Sequence, residues 1–500
     1  MAPPTLSSIS PPSGPTCGGT PVTLQGTHFS GLDVRDLAVA FGSVAAECVS
    51  VVSAEELVAV APPTGAVGSV GVTVSTNHGA TSPVQYSYSS NLDLVTMMAL
   101  AQLAGTASAE RPSGDTRERQ QRRILDGINA QLAAITSQLS GSWEAVWVGL
   151  TRDRANLAYI AHNTSIDSPL QYALSLRGTQ GFGIDILEDL EVATMLPFIG
   201  GNVSAGAMEA FTEVVMGTGL LAQLAELLNG QAAPPALYVS GHSLGGAMAT
   251  TLALYLAQQS WSPAPSIGVY TFAAPTAGDG GFASAFSAAF PDAACVWNQY
   301  DIVPSAWWNL VDTGGGGARK PPLLEAAEHF WPGMDPKVGL ETSQLVKRIA
   351  GAAKGNVYVQ PNSLQRPPLV LNACYTHTNP EVTKIASLGD WLKELDYQHN
   401  SYLELLGGPS VPDLVPELTS ISPTAGGGGC AVTIIGDNFT PDSVVDFGIV
   451  PAEVVEVTPT ALTAVAPPGA GTVDVRVTTK YGTSAKGAQD RFTYDSFQAS

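Results

Sequence analysis

The chain has 500 residues, too many for one ordinary core and enough for roughly two to four domains. With 45% hydrophobic and 7% aromatic residues the composition is globular and excludes a disordered chain. The 43 Asp and Glu against 22 Lys and Arg give a formal charge of −21. That balance leaves no basic stripe to neutralise phosphates and excludes nucleic acid as a partner. It also repels an anionic membrane overall, although a local apolar patch can still touch lipid.

The first residues, MAPPTLSSISPPSG, carry neither a positive n-region nor an apolar h-region, so no Sec signal peptide is expected. No uncharged apolar run approaches the ~20 residues of a membrane span. The expectation is a soluble protein, cytoplasmic or exported by a route not visible in the sequence. The cysteines (Cys17, Cys48, Cys295, Cys374 and Cys430) are scattered, odd in number and never spaced as CxxC. They suggest neither a zinc site nor a disulfide framework. Cys17 and Cys48 share one small domain and are candidates to pair, but mostly free, buried thiols are expected.

The two ends repeat each other. SSISPPSGPTCGGTPVTLQGTHF (Ser7 to Phe29) is echoed by TSISPTAGGGGCAVTIIGDNF (Thr419 to Phe439). VAFGSVAAE then matches VDFGIVPAE, VAVAPP matches TAVAPP, and YSY matches FTY, in the same order. Ordered anchors over about 85 residues mark a true internal repeat. Short alternating runs such as Val70 to Val74, punctuated by Gly and Pro, predict a small all-β sandwich. On these motifs both copies resemble IPT/TIG domains, which are immunoglobulin-like. The resemblance implies a spacer or binding role, with a polysaccharide or protein as ligand, but fold analogy does not identify one.

Between the repeats the character changes. Strand-like runs at Leu157–Ile160, Tyr172–Leu176, Leu237–Val239 and Gly268–Phe272 alternate with helix-like stretches. Ile124, Ile128, Leu132 and Ile135 recur at three- and four-residue spacing and predict an amphipathic helix from Arg117 to Leu139. Such alternation argues for an α/β domain with a mostly parallel sheet. The glycine run Thr313 to Pro322 is not a phosphate loop, since no strand precedes it and no GK[ST] follows.

In this domain Gly241-His242-Ser243-Leu244-Gly245 follows a short apolar strand and precedes a helix-forming run with Met248, Leu252 and Leu256 at four-residue spacing. One GxSxG among 52 glycines means little alone. Strand, sharp turn and helix together are the setting of a nucleophile elbow. A helix N-terminus there turns partial positive charge toward an oxyanion. The bland alternative is a serine that merely caps a helix.

A serine needs a base to take its proton. In α/β-hydrolases the order is serine, acid, histidine, which leaves His329, His377 and His399 as bases and removes His28, His78 and His162. His242 is expected to pack within the elbow. VYTFAAPTAGD and NQYDIVP resemble the strand end and D-I-V-P turn of the class 3 (fungal-type) lipase family, and that family's triad acid falls on Asp301. An Asp flanked by Tyr300 and Ile302 is also expected to be partly buried and to need a partner. Asp279 and Asp292 are rivals. DYQHNSYLELL resembles the family's late His followed by a Tyr, which places the base on His399, with His377 as the alternative and His329 third.

LSLRGTQG resembles the family's F-R-G-[ST] motif, with Leu176 in place of Phe. The resemblance puts the oxyanion donors on Thr179 and the backbone NH of Leu244. In the same family the lid follows the oxyanion residue. Here that segment holds Met195, Leu196, Pro197 and Phe198, expected either as a lid or acyl-site wall or as ordinary core.

The sequence thus predicts an α/β-hydrolase core at 91–412 between immunoglobulin-like sandwiches at 1–90 and 413–500. The expected activity is a lipase-like serine carboxylic-ester hydrolase acting on a lipid or other ester, with no metal or organic cofactor. A feruloyl-type or polyester esterase is the near alternative, and a binding protein on an inactive hydrolase fold the distant one. A monomer is expected.

Overall fold

The computed structural model describes residues 3–29, 37–106, 115–152, 156–178, 191–308, 336–362, 368–372, 374 and 376–495. A seven-stranded sheet forms the centre. Its strands are β1 (Trp143–Leu150), β2 (Leu157–Asn163), β3 (Gln171–Leu176), β4 (Ala236–His242), β5 (Ser266–Phe272), β6 (Ala294–Asn298) and β7 (Leu369–Leu371), and they lie side by side in chain order. β1, β2 and β3 pair antiparallel, and from β3 to β7 every pairing is parallel. Leu176 of β3 faces Gly241 of β4, and His242 faces Phe272 of β5. The carboxyl ends of three neighbouring strands therefore open onto one edge, where ligands of open α/β sheets bind.

Helices cover both faces. α1 (Leu92–Thr106) and α2 (Arg117–Ile135) pack on one side. The Thr116 hydroxyl caps α2 by accepting from the Arg119 N–H at 3.3 Å. Ile124, Ile128, Leu132 and Ile135 are all buried against the sheet, as their spacing predicts. Burying each contributes about 1.5–3 kcal/mol. The predicted last turn is instead a short 3₁₀ segment, Thr136–Gln138. On the other face lie α3 (Ala205–Gly217) and α4 (Leu244–Leu256). Met248, Leu252 and Leu256 of α4 are buried. Among the described residues no single helix is long and apolar enough to cross a membrane.

Each end forms a β-sandwich. Val22, Leu24, Phe29, Leu57, Val72 and Tyr86 make the first core. Their repeat counterparts Val432, Ile434, Phe439, Leu462, Val475 and Phe492 make the second. The likeness extends to the backbone: His28 and Asn438, each just before the phenylalanine, have φ of 65° and 60°.

Both sandwiches dock on the centre. The Asn91 side chain donates to the Leu406 carbonyl at 2.8 Å and accepts from the Thr16 hydroxyl at 2.7 Å. On the other side, a Cβ on Gly127 of α2 would lie 2.4 Å from the Lys480 carbonyl oxygen, so that approach requires glycine. The cysteine pattern departs from expectation. Cys48 is bonded to Cys374, just beyond β7, across a sequence separation of 326, and not to Cys17. Cys17, Cys295 and Cys430 are not disulfide-bonded. The bridge staples the first sandwich to the central domain. Replacing both Cys48 and Cys374 by Ser should lower stability by about 2–4 kcal/mol. Calorimetry checks this, and an unchanged unfolding temperature would count against a stapling role.

Candidate active site

Ser243 sits where β4 ends and α4 begins, with φ 56° and ψ −133°. A non-glycine residue there is strained by about 1–3 kcal/mol. The neighbours explain why it is held. A Cβ on Gly241 would lie 2.1 Å from the Gly245 carbonyl oxygen, and one on Gly245 would lie 2.2 Å from that of Leu176. Strand and helix thus touch through bare backbone. The Ser243 N–H donates to the Phe272 carbonyl at 2.9 Å, tying the turn to β5. The Leu244 N–H belongs to the first turn of α4, where helical N–H groups lack an intrahelical acceptor. Gly178 packs on the turn: a Cβ there would be 2.9 Å from the His242 carbonyl oxygen and 3.1 Å from the Ser243 Cβ. Thr179, the next residue, lies outside the described residues.

Asp301 lies just past β6 and is 5% exposed. Its carboxylate has three hydrogen-bond donors. Oδ1 accepts from the Val303 N–H at 2.9 Å. Oδ2 accepts from the Tyr402 hydroxyl and from Nδ1 of His399, each at 2.9 Å. A buried carboxylate is costly unless so satisfied. Because a carboxylate only accepts, His399 in its neutral form carries its proton on Nδ1 and its lone pair on Nε2. Burial, and then the charge of Asp301, push the Tyr402 hydroxyl well above its ordinary range, so it stays a donor.

His399 is 1% exposed and lies near the end of α5 (Leu388–Asn400). The Ser387 hydroxyl caps that helix by accepting from the Asp390 N–H at 3.2 Å. Gln398 locks its far end. Its amide oxygen accepts from Asn298 at 2.8 Å and Asn372 at 2.9 Å, and its amide nitrogen donates to the His377 carbonyl and to Glu394, both at 2.8 Å. This buried network joins α5 to the ends of β6 and β7. Sequence reasoning missed Asn298, Asn372 and Gln398, because isolated amides carry no motif.

The structure therefore brings Asp301 and His399 together and sets Ser243 on a strained elbow. The alternatives fall elsewhere. His377 is exposed and its ring meets the Thr376 hydroxyl; its carbonyl, not its ring, joins the network. His329 lies outside the described residues. His162 stacks on Tyr172 at 5.1 Å. Asp279 caps the helix Gly280–Ala289. Burial alone would raise its carboxyl, but hydrogen bonds from Phe282 and Asn202 hold it below the usual range. Asp292 is exposed.

Met195–Phe198 pairs with Gly201–Ser204 as a hairpin. Phe198 meets Phe211 at 5.2 Å and buried Phe282 at 6.0 Å between ring centroids. Met195 packs against the buried cluster that includes Val192 and Tyr300. In this structure Phe198 anchors the hairpin on the core, and Leu196 is half-buried beside it.

Comparison with known families matches residues 173–309 to lipase (class 3), and residues 4–88 and 416–494 to the IPT/TIG domain. The chain carries a class 3 lipase domain between two IPT/TIG domains. The matched lipase segment contains Ser243 and Asp301, and His399 lies beyond it. Among solved structures, M37 lipase is 22% identical, with 64% of this chain and 93% of that one covered and a TM-score of 0.47. A lipase from Rhizopus microsporus var. chinensis is 19% identical, covering 46% and 72%, with a TM-score of 0.32. The Lip2 lipase of Yarrowia lipolytica is 18% identical, covering 45% and 75%, with a TM-score of 0.30. Comparison with curated proteins finds no match.

Tyr402 links the parts of the candidate site, donating to Asp301 while accepting from the Asn298 N–H at 2.8 Å. Tyr402→Phe leaves a buried N–H unsatisfied and should cost about 1–3 kcal/mol. Thermal unfolding reads the loss, and wild-type stability in the variant would contradict it.

Proposed function

We propose that the lipase domain is a serine carboxylic-ester hydrolase. The observation that carries this reading is the buried Asp301–His399 pair at 2.9 Å, joined to an elbow that holds Ser243 at positive φ. Such an elbow presents its hydroxyl at the carboxyl edge of the sheet, and the Nδ1 bond leaves the imidazole lone pair on Nε2.

In the proposed cycle His399 takes the Ser243 proton on Nε2 as the Ser243 oxygen attacks the ester carbonyl. Asp301 stabilises the imidazolium without itself taking the proton. The carbonyl oxygen becomes an oxyanion and accepts from the Leu244 N–H, with Thr179 as the second donor. Each such donor is worth about 3–4 kcal/mol of barrier. His399 returns the proton to the leaving alcohol, an acyl-enzyme forms, and water resolves it by the same steps.

A triacylglycerol or similar lipid ester is the favoured substrate, since the family match is to lipases. The sandwiches serve as spacers or as binding modules for a polysaccharide or protein, with the disulfide fixing the first of them in place.

Hydrolysis of p-nitrophenyl esters from acetyl to palmitoyl tests the proposal. Ser243→Ala should lower kcat by at least about 10⁴-fold, and Asp301→Asn by about 10²–10⁴-fold. A long-chain preference supports a lipase, whereas a short-chain or aromatic preference supports the feruloyl-type or polyester alternative. Turnover that survives Ser243→Ala would overturn the proposal.

A further inference from the structure

Two histidines face each other at the candidate site, and their hydrogen bonds give them different tasks. His242 immediately precedes Ser243. Its Nε2 lies 2.8 Å from the carbonyl oxygen of His399. A carbonyl can only accept, so His242 carries its proton on Nε2 and donates. Its ring lies 4.7 Å from the His399 ring and 5.6 Å from the Tyr402 ring, between centroids.

The accepting carbonyl is significant. His399 is the second-last residue of α5, and the last four carbonyls of a helix have no intrahelical donor. A carbonyl left unsatisfied in this buried place would be costly. His242 supplies that donor from the residue adjoining Ser243. One hydrogen bond therefore spans from the end of β4 to the main chain of His399, independently of the bond that orients the His399 ring.

We propose that His242 is a positioning residue that holds the His399 backbone in register with Ser243, and that it does so as an uncharged donor throughout turnover. The inference rests on the serine-hydrolase reading above. Burial, and then the neighbouring charge of a protonated His399, lower the His242 imidazole to about 3. It therefore stays neutral while the proposed cycle makes His399 an imidazolium. Its Nε2 proton is committed to a carbonyl, and its ring is too weakly basic to take a second proton on Nδ1, so His242 braces the base and does not compete with it for the Ser243 proton. A displacement of about 1 Å at such a pair can cost about 10²-fold in rate.

The test uses the full chain with three substitutions, p-nitrophenyl butyrate as the probe, and circular dichroism as the check on folding. His242→Leu removes the donor. His242→Gln places an amide N–H near the position of Nε2, whereas His242→Asn falls short of it. Expected are a kcat about 10–100-fold lower in His242→Leu with KM within about 2-fold, and recovery to within about 5-fold of wild type in His242→Gln. Wild-type kcat in folded His242→Leu would overturn the proposal, as would equal losses in the leucine and glutamine variants. Should His242→Leu fail to fold, the comparison of glutamine with asparagine decides: an active Gln variant beside an impaired Asn variant supports the tether, and equal activities refute it. Ser243→Ala, run in parallel, separates the two levels. Activity in that variant means the serine-hydrolase reading has failed, whereas an inactive Ser243→Ala beside a fully active His242→Leu means that only the tether has.

Discussion

The close backbone contact between β4 and α4 is the constraint on which the rest of this architecture depends. Gly241, Gly245 and Gly246 leave no side chain between strand and helix, and Gly178 lets the chain after β3 lie on the turn. The turn residue then has little choice of conformation, and Ser243 is held at a φ of 56°. Bonds to β5 and the burial of α4 supply the energy that offsets the strain. Adding a methyl group at Gly241 or Gly245 brings it far inside van der Waals contact with backbone, so this geometry is fixed by sterics before any chemistry is considered.

A second constraint follows from burial. A carboxylate as enclosed as Asp301 must be paired, and its side-chain partners come from a part of the chain about 100 residues away, namely His399 and Tyr402. The amide network around Gln398 then ties α5 to the ends of β6 and β7, and His242 ties it to β4. Three strand ends of the parallel part of the sheet thus become fixed points for one helix. The Cys48–Cys374 bridge reaches the same region from outside, because Cys374 lies two residues beyond Asn372, which bonds to Gln398. The first sandwich is consequently attached close to the polar network of the central domain.

Much of the fold was legible in the sequence, for physical reasons. The apolar spacing of α2 reports a helix with one buried face, and the alternating runs at either end report sandwiches whose cores repeat position by position. The GxSxG signal gains meaning only from the strand before it and the helix after it, which are themselves legible as apolar patterns. Other features were not. A disulfide between positions 48 and 374 depends on how two domains dock, which no local pattern encodes. The role of Gln398 depends on amides contributed by Asn298 and Asn372. The His242 bond to a helix-terminal carbonyl is invisible until α5 is in place; the sequence suggests only that this histidine packs in the elbow. Phe198 reads equally well as lid or core, and its contacts with Phe211 and Phe282 depend on a hairpin that composition does not reveal.

The most direct test of the central claim, that Ser243 is an activated nucleophile, is covalent labelling by a fluorophosphonate followed by mass spectrometry of the digested protein. The account predicts a single stoichiometric adduct on the peptide bearing Ser243. Absence of labelling in folded protein, or an adduct on another residue, would contradict it.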